Sequence, residues 1–173
     1  MGFPMARNLL QAGFDVTAWN RDTRKSTALK DFGGQVAISP AEAAQDAQCV
    51  ITMLSDGQAV NDVLFSLGLA TSMRSGTLFI DMSSIKPAEA RANAKDLATR
   101  GIEALDAPVS GGTKGADMAS LAIMAGGTVA AFERAVPAFK AMGRPTYVGA
   151  AGTGQIAKLA NQGIVAIDRK SVV

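Results

Sequence analysis

The sequence predicts an α/β protein built on a doubly wound, mostly parallel sheet. Three observations carry that expectation. Short runs rich in β-forming residues alternate with helical stretches of about 10–15 residues, the rhythm of successive βαβ units. The runs are almost continuously apolar, which suits strands buried on both faces rather than an antiparallel sheet with one wet side. And 48% of the 173 residues are hydrophobic against 18% charged, enough for the substantial core of one ordinary domain.

Taken in order, residues 4–12 place Met5, Leu9 and Ala12 on one helical stripe, and Gly13 stops the helix. A strand is expected over 14–20. Ser39, Pro40 and Glu42 form a capping-box signature with proline at the first helical position. Further strands are expected over 49–54, 77–81, 102–106, 121–125 and 146–149. Lys86 and Pro87 open an Ala-rich helix running to about Arg100 and stopped by Gly101. Residues 128–142 are helical in period, with Pro137 expected to kink or break the helix. A last helix opens after Gly152. No internal repeat or low-complexity linker interrupts the pattern.

Composition excludes several classes of function. With 17 Lys+Arg against 15 Asp+Glu, a formal charge of +2 argues against nucleic acid or a membrane surface as partner. No apolar run approaches the roughly 18 residues of a membrane span, and no signal-peptide pattern opens the chain. A single cysteine, Cys49, leaves no internal disulfide and suits a reducing compartment, so a cytoplasmic location is expected. Histidine is absent, which removes His-dependent triads, His metal sites and the commonest general acid–base residue. Chemistry here must run on Lys, Asp, Glu, Ser, Asn or a cofactor.

Both ends read as cut. A doubly wound dinucleotide fold opens with a strand, a G-x-G-x-x-G turn and a helix. This chain begins inside that helix, so Gly2 reads as the third glycine and the first strand is expected to be missing. At the other end, residues 168–173 (DRKSVV) abandon the apolar period and read like a translated sequencing adapter; a non-native tail is expected. The domain plan is a dinucleotide-binding domain over 1–151, the start of an interdomain helix over 152–167, and that tail.

Four segments together resemble the β-hydroxyacid dehydrogenase family, which includes 3-hydroxyisobutyrate dehydrogenase and the tartronate, glyoxylate and succinic semialdehyde reductases. They are MGFPMARNLLQAGFDVTAWNR at the start, DMSSIKP at 81–87, DAPVSGGTKGA at 106–116 and GTGQIAKLANQ at 152–162. They occur in the family's order and spacing over essentially residues 1–167. The resemblance implies a Rossmann-type sheet, a nicotinamide cofactor, a carboxylate-bearing aldehyde or hydroxy acid as substrate, and an all-helical second domain used for substrate contacts and homo-oligomer formation.

Met1 and Gly2 sit at a helix N-terminus, whose unpaired N–H groups suit a pyrophosphate; an ordinary helix start is the plain alternative. Asn20 stands where an acidic residue would accept the ribose hydroxyls of NAD. With Arg21, Thr23 and Lys25 beside it, the segment is expected to prefer the 2′-phosphate of NADP, with NAD possible; a solvated helix start reads the same way. Leu54 and Ser55 follow one apolar strand and Ser83 another, at the carboxyl edge where open α/β sheets bind ligands. The resemblance places Leu54 and Ser83 along the adenosine and nicotinamide ribose, whereas Ser55 with Asp56 also reads as a helix cap.

Ser110, Gly111 and Gly112 make a turn whose backbone N–H groups can converge on an anion, and the resemblance assigns it the substrate carboxylate. The family usually has glycine where this chain has Ala119. Lys158 and Asn161 are three apart on one helix and share a face. Lys158 is the expected general acid, delivering a proton to the carbonyl oxygen as hydride reaches carbon, with an exposed helical lysine the plain alternative; Asn161 is expected to hold the substrate oxygen or to orient the lysine. The histidine of decarboxylating 6-phosphogluconate dehydrogenases is absent, and the lysine that imine reductases replace is present. The activity expected of the whole protein is NADP-dependent interconversion of a small 3-hydroxy acid and its semialdehyde, the 173 residues alone folding poorly and not turning over. A non-catalytic dinucleotide-binding module or an inactive remnant is the alternative.

Overall fold

The computed structural model describes the backbone of residues 1–170 and the side chains of residues 1–165. Of the expected tail, residues 168–170 have no described side chains and 171–173 lie outside the described residues. The chain opens in α1 (Gly2–Gln11), which buries Pro4, Met5, Asn8 and Leu9 and ends at Gly13 with φ +88°. β1 (Thr17–Ala18), α2 (Thr23–Thr27), a 3-10 turn and β2 (Gln35–Val36) follow, β1 and β2 pairing in parallel. α3 (Pro40–Ala44) begins as its capping signature requires: Ser39 Oγ accepts from the Glu42 N–H, and the Glu42 carboxylate accepts from the Ile38 N–H.

The central part runs β3 (Cys49–Thr52), α4 (Gly57–Asn61) with a π-helical turn, α5 (Leu69–Ser72), β4 (Leu78–Asp81), α6 (Pro87–Ala98) and β5 (Glu103–Asp106). Then come β6 (Val109–Ser110), α7 (Gly112–Asp117), β7 (Leu121–Gly126), α8 (Val129–Met142), β8 (Gly143–Gly149) and α9 (Thr153–Lys170).

Six strands form one sheet in the order β3-β4-β5-β7-β6, with β8 also on β7, while β1 and β2 form a separate two-stranded sheet. β3, β4 and β5 are mutually parallel, as are β7 and β8. β7 runs antiparallel to β5 and β6, so the parallel rhythm expected from the sequence breaks there. The reason is the connection: α7 is six residues long, too short for the crossover a parallel return needs.

Helices cover both faces. In β4, Leu78 and Ile80 pack with Met5 and Leu9 of α1 and Ala135 and Phe139 of α8, while Phe79 packs on the opposite side with Val60, Leu64 and Leu97. This is the two-layered burial that continuous apolar strands demand. α8 runs unbroken through Pro137, contrary to the expected break. Pro137 and Glu133, whose carbonyl loses its partner, both lie on the exposed face, so water can satisfy that oxygen. β8 starts at Gly143, earlier than expected, pairing it with Leu121 so closely that only glycine fits: a Cβ would sit 2.0 Å from the Leu121 carbonyl oxygen. Among the described residues, no helix is long and apolar enough to cross a membrane and no cluster of potential metal ligands occurs.

Candidate active site

The parallel register pairs Thr52 with Asp81 and Asp81 with Asp106, so three strands end side by side on one edge. Thr52 Oγ1 donates to Asp81 Oδ1 at 2.9 Å, and the Ser83 N–H donates to the same oxygen at 3.0 Å. Ser83 Oγ in turn accepts from the Leu54 N–H at 2.9 Å. Ser83 is fully buried, so its hydroxyl ties the loop after β4 to the loop after β3. Burial pushes the Asp81 carboxyl above the usual carboxylate range, and its Oδ2 has no partner among the described residues.

β5 ends in a second buried carboxylate. Asp106 Oδ1 accepts from the Gly152 N–H at 2.7 Å and Oδ2 from the Gln155 N–H at 2.9 Å. These are orphan donors at the start of α9, capped by a residue from another element. The close fit explains the two glycines that precede Lys158. A Cβ on Gly154 would lie 2.4 Å from the Asp106 and Met124 carbonyl oxygens, and one on Gly152 would lie 2.7 Å from the Arg91 guanidinium. Desolvation raises the Asp106 pKa above the ordinary carboxylate value despite its N–H partners.

α9 thereby enters over the strand edge with Lys158 one turn in. Lys158 lines a cavity of about 520 Å³ together with Met1, Met53, Ser84, Val109 and the Ser110–Gly112 turn. That size lies within the range of small-ligand sites, which is about 300–1,000 Å³. Partial burial lowers the Lys158 pKa from its ordinary value. Asn161 Nδ2 donates to Ser110 Oγ at 3.2 Å. Gly111 and Gly112 both have positive φ, +130° and +61°, a conformation side chains resist.

The structure thus gathers Met1, Ser110, Gly111, Gly112, Lys158 and Asn161 from three distant segments. Leu54 and Ser83 are not in the lining: Leu54 packs against the cluster around Val60, Leu64 and Phe79, and Ser83 is buried, while Ser84, the neighbouring serine, lines the cavity. Ser55 Oγ donates to Asp56 Oδ2, and Asp56 caps α4 through the Ala59 N–H. That bond, then the one from Ser55, lowers the Asp56 pKa, with Arg21 adding a smaller Coulombic pull. Gly2 starts α1, whose N-terminus has no side-chain cap.

Asn20, Arg21, Thr23 and Lys25 are exposed at the turn from β1 into α2, away from the cavity lining. Asn20 Oδ1 accepts from the Asp22 N–H, and Asp22 both caps α2 and pairs with Arg24. Arg24 is therefore committed, while Arg21 and Lys25 form no ion pair among the described residues. Met53 and Val109 of the lining, and Asp106 and Gln155 behind it, are site residues the sequence reading gave no role. Asp106, Val109 and Gln155 stood inside motif segments, Gln155 directly after Gly152 and Gly154, and Met53 lay in the strand expected over 49–54.

An uncapped helix N-terminus beside a cavity, parallel strand ends beneath it and exposed cations at the next strand end together define a dinucleotide-binding domain. The residues present fit such a ligand. The chain belongs to the NAD-binding family of 6-phosphogluconate dehydrogenase: residues 1–152 match the NAD binding domain of that enzyme. It is 40% identical over 169 residues to the NAD-dependent L-serine dehydrogenase of Pseudomonas aeruginosa, covering 96% of this chain and 57% of that protein. Against the human mitochondrial 3-hydroxyisobutyrate dehydrogenase the identity is 37% over 169 residues, 96% of this chain and 50% of that one. The solved structure of Mycobacterium tuberculosis 3-hydroxyisobutyrate dehydrogenase with L-serine superposes with a TM-score of 0.94 at 37% identity, over 99% of this chain and 58% of that chain. The chain thus spans about half the length of the curated relatives it matches.

Proposed function

We propose that this chain is the cofactor-binding part of an NADP-dependent oxidoreductase that interconverts a small 3-hydroxy acid and its semialdehyde or 3-oxo acid. Residues 1–151 form the nucleotide domain, and α9 leads out of it toward the rest of the protein. The observation that carries the reading is the cavity in which Lys158 shares a wall with the Ser110–Gly112 turn.

The uncapped N-terminus of α1 and Arg21 hold the phosphates, and the Leu54 and Ser84 loops hold the nicotinamide riboside. The bound dihydronicotinamide supplies the hydride for the carbonyl carbon. Ser110 and the backbone N–H groups of its turn take the substrate carboxylate. Lys158, a cation with a lowered pKa, donates its proton to the carbonyl oxygen, and Asn161 keeps Ser110 oriented. A reducing compartment such as the cytoplasm suits the exposed thiol of Cys49.

The test is a chimera in which this chain replaces the matching 57% of the Pseudomonas aeruginosa L-serine dehydrogenase. It is assayed with NADPH against a panel of small semialdehyde acids. Lys158→Ala is expected to lower kcat by about 10²–10⁴, the usual worth of a general acid. Undiminished turnover in that variant would overturn the lysine's role. A chimera that binds NADPH and never turns over would favour a binding module.

A further inference from the structure

The geometry points to Asp106 and Gln155 as positioning residues that clamp the first turn of α9 to the sheet edge and to the loop after β4, so that the place of Lys158 is set jointly by both. The clamp is built from four bonds. The two oxygens of Asp106 take the Gly152 and Gln155 N–H groups. Both oxygens act as acceptors, the pattern of an ionised carboxylate at a helix N-terminus, where the helix dipole also favours negative charge. The side chain of Gln155 then faces the other way. Its Oε1 accepts from the Ile85 N–H at 3.1 Å and its Nε2 donates to the Ser83 carbonyl at 2.9 Å.

Gln155 is 1% exposed, and a buried amide is costly unless its donor and acceptor are both satisfied. Here both are, by one loop. That loop is the one whose Ser83 hydroxyl holds the Leu54 N–H. A continuous chain of hydrogen bonds therefore runs from the loop after β3, through Ser83 and Gln155, to the turn before Lys158. Asn161, one turn further on, closes the far end onto Ser110. A helix held at its first and third turns presents the lysine between them in one position. Pre-organisation of this kind is what a general acid needs, because misplacement by about 1 Å costs on the order of 10² in rate. The catalytic benefit rests on the proposed role of Lys158; the clamp itself does not.

The test uses the chimera, in which the chain is joined to the remainder of a relative, and two variants of it. Asp106→Asn keeps the shape but turns an amide donor toward one of the two N–H groups. Gln155→Met keeps the approximate volume and removes both bonds to the loop. Amide hydrogen exchange is followed by NMR, and the Lys158 side chain is titrated by its ¹³Cε resonance, assigned with Lys158→Arg. In each variant, exchange across residues 153–161 is expected to quicken about tenfold, the equivalent of one charge-assisted bond lost in Asp106→Asn or of the two neutral bonds lost in Gln155→Met. The Lys158 titration should move back toward the ordinary lysine value, while Ile80 and Leu105 exchange stays within about twofold.

A Lys158 titration that stays put in a folded variant overturns the proposal, as does exchange that quickens equally in strands and helix. If Asp106→Asn does not fold, Gln155→Met carries both readouts. Loss of the general-acid reading in the chimera, with these shifts observed, leaves the clamp standing and removes only its catalytic purpose. Unmoved titrations alongside a catalytically essential Lys158 would do the reverse.

Discussion

Asn161 Nδ2 donates to Ser110 Oγ across 3.2 Å, joining α9 to a glycine turn that precedes it by 51 residues. The bond places the hydroxyl that would meet a substrate carboxylate under the control of the helix that carries Lys158. Asn161→Ala in the chimera frees Ser110 to rotate. KM for the semialdehyde should rise about tenfold, the worth of one hydrogen bond to a charged group, with kcat lowered less. Steady-state kinetics that show a fall in kcat alone would remove substrate positioning as the role of Asn161.

Lys158 titrates below the ordinary lysine value of 10.5, because burial disfavours its charge. In the proposed role of general acid it must be protonated to act, so carbonyl reduction should decline as pH rises through that lowered pKa. The decline therefore begins before an exposed lysine would titrate. A kcat profile against pH that stays flat up to 10.5 contradicts this.

Arg21 forms no ion pair among the described residues and exerts a Coulombic pull on Asp56, while its neighbour Arg24 is held by Asp22. Arg21→Ala should weaken NADPH binding about tenfold or more and leave NADH nearly unchanged, since an arginine–phosphate bond is charge-assisted and the NAD ribose has no phosphate to lose. Calorimetric titration with both cofactors reads the difference directly. Equal losses for the two would place Arg21 at the pyrophosphate instead.

Asp81 and Asp106 both have folded-state pKa values raised above 3.8 by burial. The native state then holds more protons than the unfolded chain in the window above 3.8, so their contribution to stability falls as pH rises through the folded values. Asp22 and Asp56 are shifted the other way, and their contribution is lost only as pH drops below 3.8. Asp81→Asn keeps an acceptor for Thr52 and Ser83 and removes the charge beside the unpartnered Oδ2. Its urea midpoint at neutral pH should rise, and the slope of stability with pH should flatten. A lowered neutral-pH midpoint would show that Oδ2 has an unseen partner.

Ala119 has φ +50°, the left-handed region, and is the non-glycine residue found there among the described residues. Ala119→Gly should relieve about 1 kcal/mol of backbone strain, raising Tm by roughly 2–4 °C for a chain of this size. A thermal melt showing no gain would mean that the turn strains elsewhere when relaxed.

The Ala119 position shows how much was already legible. The resemblance to the family marked it as a place where glycine is usual, and the backbone has the torsion that glycine would serve. The same holds for the capped start of α3, for Gly13 after α1, and for the apolar strands β3, β4, β5 and β7, each within a residue or two of its expected range. Caps, glycine stops and buried strands act through a few consecutive residues, so the sequence carries them openly. β2 and β6, at two residues each, and the short helices α2, α4, α5 and α7 left no periodic signal to read. Pro137 misled because its cost depends on whether the freed carbonyl faces water, which neighbours in sequence do not determine.

The amino-acid sequence by itself determined that this is a doubly wound α/β chain with no histidine chemistry, a lysine on a glycine-led helix and a glycine turn after a buried strand. Only the tertiary structure decided that these share one cavity, that β7 returns antiparallel, that Ser84 rather than Ser83 faces the site, and that Asp106 caps a helix 46 residues away. The physical reason is range. Periodicity and capping are encoded within a turn or two of chain, whereas a buried carboxylate finds its N–H partners only when the sheet has brought two separate elements together.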